Sequence, residues 1–94
     1  MTATSPVVTT EISLYPLRQD VEPPVVAFIH ALRKEPDIEV VTNAMSTQVR
    51  GRFDAVQRAL QRCMAEVLAG PEPVVFVTKT LNLDLDISEA PSLD

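Results

Sequence analysis

Hydrophobic and polar residues change their spacing along the chain, and these changes predict elements of secondary structure. In residues 8–17 apolar and polar positions alternate, which is the period of a strand with one buried face. After Asp20, whose carboxylate can cap a helix, apolar residues recur every three or four positions as far as Lys34. Pro36 ends this pattern. The first third of the chain therefore predicts a strand followed by a helix.

The remainder of the sequence predicts two strands, a second helix and a final strand. Residues 38–43 and 46–52 form the first two strands, and the short interval between them permits only an antiparallel hairpin. Helical spacing then covers residues 53–68, and Gly70 and Pro71 end it. The last strand is predicted over residues 74–86, because its second half, TLNLDLD, alternates strictly.

This order of elements is typical of one fold class. Strand, helix, strand, strand, helix, strand is the order of the α+β, ferredoxin-like βαββαβ sandwich, a four-stranded antiparallel sheet with two helices on one face. Right-handed connections would place the first and third strands in the centre. In a chain of 94 residues we expect a single domain over 1–94, with its core at about residues 8–87. A flexible N-terminus and an acidic C-terminal tail would flank that core.

The last strand carries more apolar residues than a half-buried strand needs. Val74 and Phe76 point to one face, whereas six aliphatic residues share the other: Val75, Val77, Leu81, Leu83, Leu85 and Ile87. Such a patch on an edge strand is larger than a monomer usually exposes. We therefore expect self-association, as a dimer or tetramer, through this strand and the uncovered sheet face. In the alternative, residues beyond Leu81 fold back and shield the patch in a monomer.

Composition and charge exclude several classes of partner. The chain has 8 Lys and Arg against 13 Asp and Glu, a net charge of −5, and 4% aromatic residues. This balance disfavours nucleic acids, whose binding needs basic side chains and stacking rings. No run approaches the roughly 18 apolar residues of a membrane span, and the first residues lack the basic start of a signal peptide. We therefore expect no membrane partner and a cytoplasmic location.

Residues that could perform chemistry are few. His30, the one histidine, falls outside the apolar stripe of its helix, so we expect it at the surface. Cys63 falls on the apolar face of the second helix and is expected to be a buried thiol without nucleophilic character. Neither residue has neighbours at metal-ligand or catalytic spacing. We therefore expect no enzymatic activity, no metal and no cofactor.

Polar residues on the uncovered face of the sheet form a more informative set. Alternation places on that face Ser13 and Tyr15 of the first strand, Ser46, Gln48 and Arg50 of the third, and Lys79 of the last. If a second copy covers the face, each polar group needs a hydrogen-bonding partner, because burying it unpaired costs a few kcal/mol. A bound polar ligand could supply the partners, and so could hydrogen bonds across the subunit interface.

The same region carries a resemblance to a known family. The stretch MSTQVRGRFDAVQRAL at residues 45–60, with ISLYPL before it and VVFVTK after it, resembles the YkoF-like thiamine/hydroxymethylpyrimidine-binding family. The most specific features are the spacing of Met45, Thr47, Gly51, Phe53 and Asp54, and Ser13, which matches a serine in the first strand. The similarity covers about residues 10–79. It implies ferredoxin-like units that associate through their sheets, here one unit per chain.

This resemblance also implies a ligand site beside the hairpin. Hydroxyl and amide groups of Ser13, Asn43, Ser46 and Thr47 would contact a pyrimidine-like ring, and Tyr15 would stack on it. Alternation places Thr47 on the face opposite Ser46, so both reach one ligand only where the strand bends. The expected function is non-catalytic binding of thiamine or its hydroxymethylpyrimidine moiety. The alternative is a structural or regulatory oligomerisation module without a ligand.

Overall fold

Six elements of secondary structure follow one another in the predicted order. The computed structural model describes residues 5–93, so part of the predicted flexible N-terminus, residues 1–4, lies outside the described residues. The elements are β1 (Val7–Pro16), α1 (Glu22–Arg33), β2 (Ile38–Thr42), β3 (Thr47–Arg52), α2 (Phe53–Leu68) and β4 (Val74–Leu81). Within residues 5–93, neither helix combines the length and apolarity that crossing a membrane requires.

The strands form one antiparallel sheet in the order β2-β3-β1-β4. Thr10 of β1 lies opposite Val49 of β3 on one side and Thr80 of β4 on the other. Two of the predicted features, the central position of β1 and β3 and the edge position of β2 and β4, are thus present. The predicted ferredoxin-like α+β fold is confirmed.

The core lies between the sheet and the two helices. Even-numbered residues of β1 face the helices. Ile12 is 1% exposed, and it belongs to the same core cluster as Leu32 and Val56, which are both fully buried. Burying one such aliphatic side chain contributes roughly 1.5–3 kcal/mol. Odd-numbered residues of β1 point away from the helices, and we call that side of the sheet the open face. The core residues are Val8, Ile12, Leu14, Phe28, Leu32, Val49, Val56, Ala59, Leu60 and Cys63.

Gly51 allows two parts of the backbone to approach each other closely. Asp37, in the loop before β2, has a φ of 67°, a left-handed conformation that aspartate tolerates better than most residues. A Cβ atom on Gly51 would lie 2.9 Å from the carbonyl oxygen of Asp37. The glycine is therefore needed for space rather than for a turn, and β3 continues through it to Arg52.

The predicted cap of α1 is wrong. The residue that precedes the helix is Val21, and no side chain caps the N-terminus. A capping carboxylate accepts from the second or third N–H group of a helix. In α1 these positions are Pro23 and Pro24, which have no N–H, so Asp20 has no donor to accept from.

The predicted end of the last strand is also wrong, because β4 stops at Leu81 rather than at Asp86. The Thr9 hydroxyl donates a hydrogen bond to the carbonyl oxygen of Leu83 at 2.8 Å and accepts one from the N–H of Leu85 at 3.2 Å. These bonds draw the chain out of the ladder and onto the open face. We call residues 82–87 the tail segment.

Candidate functional site

A cavity lies at one end of the sheet, where β1 extends beyond β3. The pairing of β1 with β3 ends at Ile12 and Thr47, whereas its pairing with β4 continues to Pro16. The β2–β3 turn and α1 close this notch into a cavity of about 130 Å³. We call it the hairpin cavity. It is lined by Ile12, Ser13, Leu14, Tyr15, Val25, Phe28, Ile29, Thr42, Asn43, Ala44, Met45, Ser46 and Thr47. All five residues predicted as ligand contacts are among them.

Asn43 shapes the β2–β3 turn and presents one unused group. Its Oδ1 accepts hydrogen bonds from the backbone N–H of Met45 at 2.8 Å and of Ser46 at 3.0 Å. The backbone N–H of Asn43 donates to the Ser46 carbonyl oxygen at 3.0 Å. This is the local bonding that makes asparagine a common turn residue. The Nδ2 amide, with two donor hydrogens, has no partner within residues 5–93.

Ser13 and Tyr15 bring two further unused polar groups to the cavity. Both belong to the odd-numbered side of β1, as predicted, and the Tyr15 side chain is 53% exposed. Neither hydroxyl has a hydrogen-bonding partner in the described part of the chain. Every buried polar side-chain atom in that part does have a partner, so the unpartnered Ser13 hydroxyl must be accessible to solvent. A hydroxyl can donate and accept, and the tyrosine ring offers an apolar surface beside it.

Ser46, in contrast, is engaged by a polar network on the open face. Its hydroxyl donates to Oε2 of Glu11 at 2.8 Å and accepts from Nε2 of Gln48 at 2.9 Å. Lys79 Nζ lies 2.9 Å from the other oxygen of Glu11. The hydrogen bonds from Lys79 and Ser46 hold the pKa of the Glu11 carboxyl below its usual range. Three of the predicted open-face polar residues thus belong to one network, because Ser46 and Lys79 contact Glu11 and Gln48 contacts Ser46.

Thr47 lines the hairpin cavity from the opposite face. It is 4% exposed, and its hydroxyl lies 3.0 Å from that of Thr42, with which it shares a hydrogen bond. Ser46 and Thr47 therefore differ in direction as predicted, and both border the cavity only because it spans the end of the sheet. The Thr47 hydroxyl is less available to a ligand than that of Ser13.

Arg50 is remote from the hairpin cavity and is neutralised within the chain. It lies opposite Thr9 on β1, four positions and about 13 Å along the strand from Ser13. It pairs with Glu39 at 3.2 Å and with Asp84 of the tail segment. These carboxylates, Asp84 foremost, raise the pKa of the guanidinium. The arginine consequently contributes no unpaired charge to the site.

The two candidate reactive residues lie where the sequence predicted them. Cys63 is 4% exposed, and burial, aided by the carboxylates of Glu35 and Glu66, raises the pKa of its thiol. His30 is exposed on α1. In the described part of the chain, no group of three or more His, Cys, Asp or Glu side chains is arranged to hold a metal ion.

Two residues that the sequence reasoning missed organise the open face, namely Glu11 and Asp84. Glu11 shares the parity of Ser13 and Tyr15, so its alternation could have placed it in the same set. Asp84 lies in a segment that reads as a strand, and nothing local indicates that it turns back toward Arg50. Its role depends on a tertiary contact between distant parts of the chain.

Comparison with known proteins shows similarity to solved structures of the same fold. No family model matches the sequence, and no curated protein matches it. A hypothetical protein of Methanocaldococcus jannascii is 28% identical, with a TM-score of 0.70 over 93% of this chain and 88% of that one. A domain of unknown function, DUF77, from Bacillus cereus is 26% identical, with a TM-score of 0.69 over 100% and 89%.

A third structure comes from Thermotoga maritima, where the protein is assigned provisionally to thiamine biosynthesis or salvage. It is 17% identical, with a TM-score of 0.70 over 92% of this chain and 90% of that one, a likeness that shows the fold alone. The chain thus shares its fold with all three structures, and two of them are also related to it at 26–28% sequence identity.

Proposed function

We propose that this protein is a non-catalytic binding protein that holds the hydroxymethylpyrimidine ring of thiamine, free or as part of the vitamin, in the hairpin cavity. One observation carries the proposal: Ser13, Tyr15 and Asn43 converge on one small cavity, and each has a polar group without a partner within residues 5–93. The fold shared with the Thermotoga maritima protein, which is provisionally linked to thiamine, agrees with it.

The groups around the cavity complement an aminopyrimidine. The Asn43 amide can donate to a ring nitrogen, and the Ser13 hydroxyl can accept from the exocyclic amine or donate to the second ring nitrogen. Phe28 and Ile29 supply an apolar wall for the ring and its methyl group. The Tyr15 ring lies at the mouth, where it can stack on the bound ring.

The size of the cavity favours one ring over two. Its volume of about 130 Å³ is below the roughly 300–1,000 Å³ that is usual for sites of drug-sized ligands. A single pyrimidine can enter it, whereas the thiazolium ring of thiamine would remain outside. We therefore expect hydroxymethylpyrimidine to account for most of the binding free energy, and thiamine to bind with its second ring near the open face.

Self-association through the open face and β4 is the second part of the proposal. Val75, Val77 and Leu81 point to the open face of β4 and are 44%, 47% and 44% exposed. The tail segment adds Leu83 and Leu85 without hiding them, since they are 55% and 43% exposed. A second copy that covers this apolar surface would also shield the adjacent hairpin cavity from solvent.

A structural or regulatory oligomerisation module is the second candidate function. The network of Glu11, Ser46, Gln48 and Lys79 favours it, because these open-face groups satisfy one another and need no ligand. Under this candidate the hairpin cavity would be a packing defect at the end of the sheet. The two candidates differ in one measurable property, the binding of a pyrimidine.

Isothermal titration calorimetry tests the proposal directly. We expect saturable heat with hydroxymethylpyrimidine and with thiamine, and none with the thiazole alcohol that forms the other half of the vitamin. Absence of heat for both pyrimidine ligands at millimolar concentration would exclude the binding function and leave the oligomerisation module. Equal binding of the thiazole would show that the hairpin cavity does not select the pyrimidine.

A further inference from the structure

A second cavity lies on the opposite side of Phe28, between the two helices. It has a volume of about 290 Å³, more than twice that of the hairpin cavity and close to the lower bound of about 300 Å³ for sites of drug-sized ligands. We call it the interhelical cavity. Its walls are Ala27 and Ala31 of α1 and Val67 of α2, and Phe28, Cys63 and Val74 also line it.

The interior of this cavity is apolar and partly sheltered from solvent. Phe28 and Cys63 are each 4% exposed, and the Phe28 ring is held at 5.1 Å from that of Phe76, so this part of the lining is fixed by the core. The short side chains of Ala27 and Ala31 leave room between the helices that larger residues would fill. An apolar ligand that displaces water from a cavity of this size binds favourably, because apolar surface is removed from water.

Of the three charged residues that line the interhelical cavity in the described part of the chain, two form an ion pair with each other and one does not. Arg18 Nη1 and Glu72 Oε1 are 2.8 Å apart and neutralise each other. The remaining carboxylate of the cavity, Glu66, has no ion-pair partner within residues 5–93, and it is close enough to Cys63 to help raise the pKa of the thiol. Glu66 also lines the adjoining outer cleft, together with Lys34 and Arg62, and Arg62 pairs there with Glu35 at 3.1 Å. Of the two carboxylates that line the interhelical cavity, Glu66 is therefore the one that a ligand's cation could pair with.

We propose that the interhelical cavity binds small organic cations that carry one apolar ring or chain and an ammonium group. The apolar part occupies the space between Ala31, Val67 and Phe28, and the ammonium lies at the rim beside Glu66. A carboxylate ligand is disfavoured because Glu66 would repel it, and a neutral ligand forms no ion pair with Glu66, which is exposed and stays hydrated. The site is independent of the pyrimidine site, since the two cavities share only Phe28.

Three compounds that share a phenyl ring and carry a cationic, a neutral or an anionic substituent test this site by protein-observed NMR titration. We expect benzylamine to bind more tightly than benzyl alcohol, and benzoate to bind least. Glu66→Gln should weaken benzylamine about threefold without affecting benzyl alcohol, as expected for one partly exposed ion pair. Glu22→Gln, which removes an exposed carboxylate on the other helix, α1, is the matched control and should leave all affinities unchanged.

Filling the cavity provides the second arm. Ala31→Leu should weaken benzylamine at least about tenfold, because the new side chain occupies the ligand's volume. The control Ala65→Leu adds the same volume to an exposed position of α2 and should have no effect.

The proposal is overturned if benzylamine shows no saturable binding at millimolar concentration. It is equally overturned if benzoate binds as well as benzylamine, or if Glu66→Gln and Ala31→Leu both leave the affinity of benzylamine unchanged. An unchanged near-UV circular dichroism spectrum and melting temperature check that Ala31→Leu is folded.

Discussion

Ser13 in β1 and Ser46 just before β3 lie on the same face of the sheet, but their hydroxyls have different surroundings. Ser46 is bonded to Glu11 and Gln48, whereas Ser13 has no partner within residues 5–93. The same residue type can therefore serve stability at one position and ligand binding at the other. Substitution by alanine separates the two roles, because it removes only the hydroxyl.

For Ser13→Ala we expect the affinity for hydroxymethylpyrimidine to fall about two- to tenfold, which corresponds to one neutral hydrogen bond. The melting temperature should not change, because no bond within the described chain is lost. For Ser46→Ala we expect a loss of about 1 kcal/mol in unfolding free energy, since Glu11 and Gln48 lose a partner. Calorimetry and thermal denaturation measure the two effects. A destabilised Ser13→Ala with unchanged affinity would support the oligomerisation module instead.

Gly51 is required for steric reasons and not for an unusual backbone conformation. Its absent Cβ leaves space for the Asp37 carbonyl oxygen, which would lie only 2.9 Å away. We expect Gly51→Ala to lower the unfolding free energy by about 1–3 kcal/mol, because the backbone of the neighbouring loop must shift. Gly70→Ala is the control: its Cβ would lie 3.2 Å from one carbonyl oxygen at an exposed position, and a smaller change is expected. Urea denaturation compares them, and equal losses would contradict the steric explanation.

Among the elements, the tail segment is held by one side chain of β1. Thr9 is 8% exposed although it lies on the open face, because the chain at Leu83 and Leu85 passes over it. The hydroxyl bonds to a carbonyl oxygen and an N–H group that are two residues apart. The chain bends at residues 82–83, directly after β4, and the tail segment then crosses the open face at Thr9.

Replacing Thr9 tests how the tail segment is held. In Thr9→Val, a substitution of similar shape, we expect the Leu85 amide to lose its protection from hydrogen exchange, because its acceptor is gone. Thr9→Ser keeps the hydroxyl and should retain the protection. Equal protection in the two variants would show that other contacts, such as that of Arg50 with Asp84, suffice to hold the segment.

The local spacing of apolar residues predicted the bounds of most elements, but not the bounds that depend on tertiary contacts. The bounds of α2 agree with the predicted helix, and β1, α1, β2 and β3 lie within two residues of their predictions. The end of β4 could not be predicted, because TLNLDLD alternates as a strand does and the Thr9 bonds that divert it are non-local. The cap at Asp20 failed because two prolines remove the donors it would need.

The candidate site was predictable in part for the same reason. Alternation placed Ser13, Tyr15 and Ser46 on the open face and Thr47 on the other. It could not show that Ser46 is bonded to Glu11, because that contact depends on the register of distant strands. Neither could it show that the pairing of β1 with β3 ends early and leaves the notch that becomes the hairpin cavity.

On the scale of the whole molecule, the open face governs the expected assembly. Val75, Val77 and Leu81 form an exposed apolar row on an edge strand, and the leucines of the tail segment extend it. Such a surface on a chain of 10.3 kDa is expected to associate with a second copy. One charge in the centre of the row should be enough to prevent that.

We therefore expect the protein to sediment at a multiple of 10.3 kDa at micromolar concentration, and Val77→Glu to shift it toward a single chain. Thr78→Glu is the matched control, because Thr78 is exposed on the same strand but on the opposite face, and it should leave the mass unchanged. Single chains in the unsubstituted protein would exclude self-association through the open face. An equal effect of both substitutions would assign the interface to the strand edge alone.

The proposed function depends on where a pyrimidine binds, and mapping amide chemical shifts during titration with hydroxymethylpyrimidine reports that position. We expect the largest changes at Ser13–Tyr15 and at residues 43–47, which surround the hairpin cavity. Amides that line the interhelical cavity, such as those of Cys63 and Val67, should remain unchanged. Changes centred on the helices, or none at millimolar ligand, would contradict binding at the hairpin cavity.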